Sequence, residues 1–131
     1  MKKNLLEIYA LAVCFFTVAC FVIVLGMAVW DGLQITNPEF TLNNHLYQKY
    51  QSDEAYKQHL ISMHRHQQDA PDIPEGEALS KERIEGFNQA LKGEARAGFQ
   101  SLVKNLIILF IDFFVFAVHW FIAARARRSA S

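Results

Sequence analysis

Leu102-Val-Lys-Asn-Leu-Ile-Ile-Leu-Phe-Ile-Asp112-Phe-Phe-Val-Phe-Ala-Val-His119-Trp-Phe-Ile-Ala-Ala124 is the stretch on which the reading of this chain turns. At about 1.5 Å per residue it makes a helix of roughly 35 Å, enough to cross the ~30 Å hydrocarbon core of a bilayer. A second apolar run, Leu5–Trp30, precedes it and is broken by a single charge, Glu7. A polar stretch of about seventy residues joins the two. The predicted class is an all-α membrane protein. Two transmembrane helices are joined by a largely helical extracytoplasmic hairpin, and the second outer helix continues into span two. The expected layout is residues 1–4 as a cytoplasmic start, 5–30 as span one, 31–100 as the outer loop, 101–124 as span two and 125–131 as a basic cytoplasmic tail.

The 131 residues leave room for one domain at most. Thirteen basic and thirteen acidic residues balance overall but are unevenly placed. Lys2 and Lys3 precede the first run, and Arg125, Arg127 and Arg128 follow the second. Asp31–Gln48 contains no Lys or Arg. Basic residues mark the cytoplasmic side, so both ends are expected inside and the loop outside; the compact basic start and small size suggest a bacterial inner membrane. The tail arginines also suit anionic headgroups. No basic excess points to nucleic acid. Tyr9 and Trp30 bracket span one, and Phe99 and Trp120 bracket span two, at interfacial positions.

The first run exceeds the 7–15 residues of a signal h-region. Thr17-Val-Ala-Cys20 is off pattern for a lipoprotein box, and the chain stays apolar beyond it. A retained span is therefore expected. Cys14 and Cys20, six residues apart, sit on different helix faces and are expected as unbridged apolar thiols.

Within the loop, Asp31-Gly32 and Asn37-Pro38 read as turns. Thr41 is a candidate cap for a helix from Leu42, and Ser52-Asp53-Glu54 for a restart of it. Gln67–Glu77 carries Pro71, Pro74 and Gly76 and reads as a linker. Ser80 is expected to cap one long helix from Lys81 to about Arg125, with Leu79 and Ile84 as a hydrophobic staple. That helix carries an apolar stripe, Ile84, Phe87, Leu91 and Leu102. Beside it runs a small-residue stripe, Gly86, Ala90, Gly93 and Ala97, a spacing that lets another helix approach closely.

Asp112 is the principal candidate for function. A carboxylate at mid-bilayer costs about 2.5–3.5 kcal/mol on insertion scales, so such a group usually faces a bundle or water. Asn105, Asp112 and His119 are seven apart and share a face, with steps of about 10.5 Å. Three readings follow. The face is a packing or recognition mark for a partner, a proton or ion path between copies, or an acid made neutral by a neighbour. Span one offers only Thr17 and two thiols, so the expected partner of Asp112 lies in another membrane protein or another copy of the chain.

His59, Met63, His64 and His66 form a second cluster. Extracytoplasmic His and Met can ligate copper or zinc. Arg65 opposes a cation and no established ligand spacing is present, so solvated histidines are the expectation. There is no GxSxG, phosphate loop, CxxC or HExxH. The expectation is a non-enzymatic accessory or scaffold subunit without a cofactor. A homo-oligomeric ion or proton pathway and an extracytoplasmic metal or pH sensor are the alternatives.

Overall fold

The computed structural model describes residues 2–64 and 73–128. Every regular element among them is helical: α1 (Lys2–Thr36), α2 (Pro38–Thr41), α3 (Asn44–Tyr50), α4 (Asp53–His64) and α5 (Glu77–Arg128). Both α1 and α5 are long and apolar enough to cross a membrane.

α1 contains no proline, and it runs through Asp31-Gly32, where a turn was expected. It ends where Pro38 forces it to. The residue before a proline is excluded from the α region, and Asn37 accordingly sits at φ −139°, ψ 67°. Pro38 then opens α2, where its missing N–H is harmless. The expected start of a helix at Leu42 is not found, because Leu42 closes α2. Asn43 is the cap of α3 instead, its side chain accepting from the His45 N–H at 2.9 Å. Ser52 caps α4 as anticipated, accepting from the Ala55 N–H at 3.2 Å, with Asp53 and Glu54 in the first turn.

α5 is continuous, as its sequence predicts, but starts earlier than Lys81. Gly76 takes φ +57°, a left-handed conformation that favours glycine, and the helix follows at Glu77. Ser80 therefore lies inside the helix and does not cap it. Leu79 is buried and Ile84 is half exposed. Of the predicted linker Gln67–Glu77, residues 67–72 lie outside the described residues.

The chain divides into two compact units, Met1–Gly32 with Gln100–Ser131, and Leu33–Phe99. In the second unit the core is small: Leu42, Tyr56 and Leu79 are buried. An aromatic cluster adds to it. Tyr50 stacks on Tyr56 at 5.7 Å and tilts against Phe87 at 5.9 Å, and Lys49 lies 4.9 Å from the Tyr50 ring centre. The Tyr56 hydroxyl donates to Glu82 at 3.0 Å, and burial, reinforced by Glu82, pushes its pKa up to about 12. Polar contacts tie α4 to α5. The Ser80 hydroxyl and Arg83 Nε donate to Asp53 at 2.5 and 2.7 Å, and Arg83 Nη1 donates to the Tyr50 carbonyl at 2.7 Å.

The small-residue stripe is split. Gly86 is pressed by Tyr50, since a Cβ there would lie 2.9 Å from Cε1 of the ring, whereas one at Gly93 would meet nothing within 4 Å. Gly86→Leu is expected to lower the melting temperature by an amount corresponding to about 1–3 kcal/mol, the cost of overpacking. Gly93→Ala is expected to raise it by up to about 1 kcal/mol through helix propensity alone. Hydrogen bonds from Ser80 and then Arg83 hold the Asp53 carboxyl below its ordinary value of 3.8. A depressed acid contributes stability above its unfolded pKa and loses it as the pH falls through the folded one. Asp53→Asn should therefore flatten the acid limb of a pH–stability curve below about pH 4, as followed by circular dichroism.

Candidate functional site

The first unit contains the sequence's principal candidates, and their disposition follows from helical periodicity. Along α5, the buried or partly buried positions include Leu102, Asn105, Leu109, Asp112, Phe116, His119, Ala123 and Ala126. Their spacing alternates three and four, the pattern of a seam between two helices. Along α1 the matching positions are Glu7, Ala10, Cys14, Thr17, Cys20, Val24, Ala28 and Asp31. The contacts run in opposite chain order, Glu7 against Arg127 at one end and Asp31 against Asn105 at the other. Away from the seam the surface is apolar: Phe15 and Phe16 are 71% and 70% exposed, and Phe121 is 67%.

Asn105, Asp112 and His119 share a face, as their spacing of seven requires. That face meets residues of α1. Each of the three engages α1 separately. The Asn105 amide donates to Asp31 Oδ2 at 2.6 Å, and both residues are buried, at 4% and 3% exposure. Asp112 lies beside Cys20 of α1, and its Oδ2 is buried without a hydrogen-bond partner among the described residues. His119 bonds the Val115 carbonyl of its own helix through Nδ1 at 2.8 Å, and its ring lies 6.0 Å from Tyr9. Thr17 is not the partner of Asp112, because its hydroxyl donates to the carbonyls of Val13 and Cys14. The Cys14 thiol points at the Phe116 carbonyl at 3.9 Å, and both cysteines are free thiols. An apolar groove of about 220 Å³, lined by Thr17, Val18, Phe21, Phe113 and Phe116, completes this unit.

Asp31 is the residue that the sequence reading missed, having been placed in a turn. The signal was present: Asp31 continues the three-four spacing of Ala10, Cys14, Thr17 and Val24. Of the basic residues assigned as anchors, Arg127 Nε pairs with Glu7 at 2.8 Å, and Arg125 and Arg128 close the last turn of α5. Lys2 and Lys3 lie in the first turn of α1.

In the other unit, Gly86 and Ala90 are partly covered and Gly93 and Ala97 are exposed. Gln34 donates to Glu94 at 2.8 Å. Of the histidine cluster, the His64 side chain and His66 lie outside the described residues, and Met63 is exposed. The sequence reading did not connect His59 to its neighbour in the fold, His45, whose ring centre is 6.4 Å away on α3. A cleft of about 210 Å³ is lined by Glu39, Tyr47, Tyr50, Gln51, Arg83 and Phe87.

Comparison with known proteins finds no matching family model, curated protein or solved structure.

Asp31→Leu leaves a buried amide unpaired and is expected to cost about 1–3 kcal/mol, as is Asn105→Leu. The double variant removes both polar groups and should recover most of that loss. A double-mutant cycle by denaturation in mixed micelles measures the coupling, and additive losses would show that the pair does not act together.

Proposed function

We propose that this chain is an integral membrane protein of two spans, α1 and the apolar half of α5, acting without catalysis as an accessory or scaffold subunit. One observation carries the membrane placement. The apolar side chains of the first unit face outward while Asn105, Asp112, His119, Asp31 and Glu7 face the seam. This is the arrangement that a hydrocarbon solvent favours, because a polar group in lipid must be satisfied by protein. The core helix of a soluble protein would be mostly covered, whereas 17% and 6% of the two apolar windows are buried.

The topology follows from charge. With Lys2, Lys3, Arg125, Arg127 and Arg128 marking the cytoplasmic side, both ends lie inside and the stretch between the two spans lies outside the membrane. The setting is a bacterial inner membrane. The scaffold role rests on Gly93 and Ala97, exposed small residues at helix-packing spacing. The alternative of a homo-oligomeric ion path needs the Asn105, Asp112 and His119 face to line an axis between copies, and that face is directed at α1. The unpartnered Oδ2 of Asp112 is the one observation in its favour.

Purification from native membranes in mild detergent tests the role. The expected result is a second membrane protein in fixed ratio, lost in Gly93→Leu while the variant chain keeps its own melting temperature. A uniform oligomer of this chain alone, unaffected by Gly93→Leu, would overturn the accessory reading. Proton or cation flux in liposomes that is abolished by Asp112→Asn would establish the pathway instead.

A further inference from the structure

His45 and His59 come from different helices and have no role in the seam or the scaffold face. His45 sits in the first turn of α3 and is exposed; His59 lies in the middle of α4 and is partly covered. Their ring centres are 6.4 Å apart, edge to face at 75°. An imidazole nitrogen bonds a late transition metal at about 2.0–2.1 Å, which puts each ring centre roughly 3.2 Å from the ion. Two rings sharing one ion thus have centres between about 5 Å, for a tetrahedral angle, and about 6.4 Å, for a linear one. The observed 6.4 Å exceeds the tetrahedral separation by about 1 Å, so binding requires the exposed His45 ring to turn inward toward His59.

We propose that His45 and His59 together form a two-imidazole site for a late first-row divalent cation such as Zn(II) or Cu(II). Imidazole is the side chain of choice for these ions. No group of three or more His, Cys, Asp or Glu side chains gathers among the described residues, so water completes the coordination shell. The site is therefore an exchangeable one that reads the supply of metal, not a structural zinc centre closed by four protein ligands. Binding needs neutral rings. Burial first, then the charge of Lys49 and the proximity of His45, keep the pKa of His59 below its ordinary value of 6.5, which favours the neutral ring. The same Lys49 charge opposes the ion, which gives the site a signature of its own. Lys49 lies over the Tyr50 and Tyr56 rings, 4.9 and 5.8 Å from their centres. Removing its charge should tighten metal binding, an effect that ordinary solvated histidines elsewhere in the chain would not show.

The test is titration of the full chain, in detergent and carrying no polyhistidine tag, with ZnCl₂ at pH 7.5, followed by calorimetry and by the imidazole resonances in NMR. One ion per chain is expected, with the His45 and His59 rings shifting together. Loss of even an outer-shell partner costs about 10–100-fold in metal affinity, so His45→Gln and His59→Gln should each weaken binding at least tenfold. Lys49→Gln should strengthen it. A His64→Gln/His66→Gln variant should bind as the parent does. The idea fails if the parent chain takes up no Zn(II), or if uptake survives His45→Gln and disappears in the His64→Gln/His66→Gln variant. It fails equally if only one of the two rings shifts.

Discussion

A polar group facing hydrocarbon is far more costly than the same group facing another helix, and in the proposed membrane setting that inequality accounts for the arrangement of the first unit. Its two helical segments are apolar over most of their circumference and polar along one narrow line each. Bringing the lines together satisfies Asn105 with Asp31 and brings Cys20 to Asp112, and it leaves a mostly apolar surface on the outside. The three-four spacing of Leu102, Asn105, Leu109, Asp112, Phe116, His119 and Ala123 keeps that line straight over about six turns. A single-residue shift in register would carry Asn105 out of reach of Asp31, so this buried pair sets the register as well as the attraction.

The other unit solves a different problem with different means. Its helices are short and its buried apolar residues few, so single contacts matter more. Capping by Asn43 and Ser52 starts α3 and α4 at defined positions. The Tyr50, Tyr56 and Phe87 rings pack on one another, and Gly86 is the gap into which Tyr50 fits. Asp53 is the hub of the polar contacts, engaging Ser80 and Arg83, while Arg83 also reaches the carbonyl at the end of α3. These ties close α3 and α4 onto the start of α5, and the pairing of α3 with α4 sets His45 beside His59.

Composition and periodicity determined a good deal without any coordinates. Two proline-free apolar runs dictate two long helices, because the backbone of such a run satisfies its own hydrogen bonds only as a helix in an apolar medium. Pro38 dictates the end of the first helix, and the Pro71–Gly76 stretch separates the intervening helices from the last. The shared face of Asn105, Asp112 and His119 is a matter of arithmetic, being fixed by 3.6 residues per turn. The capping role of Ser52 was legible from the acids that follow it.

What the tertiary structure alone decided is what each face meets. Helical spacing says which residues lie on one side of a helix, but it cannot say whether a second span of the same chain or a partner covers that side. So the α1 neighbours of Asp112 were not legible, and Asp31, with the loop-forming Gly32 beside it, was read as a turn. Pairing of the two segments gave both residues their neighbours, and only pairing could do so, because Asp31 and Asn105 are 74 positions apart. Likewise Ser80, a natural cap by sequence, was drawn into α5 once Gly76 took the left-handed turn and Asp53 accepted its hydroxyl. His45 and His59 are 14 residues apart and on separate helices, so nothing in their spacing announces that their rings meet. Local physics fixed the elements; long-range contacts chose the partners of the polar side chains, and it is those partners that define the candidate sites.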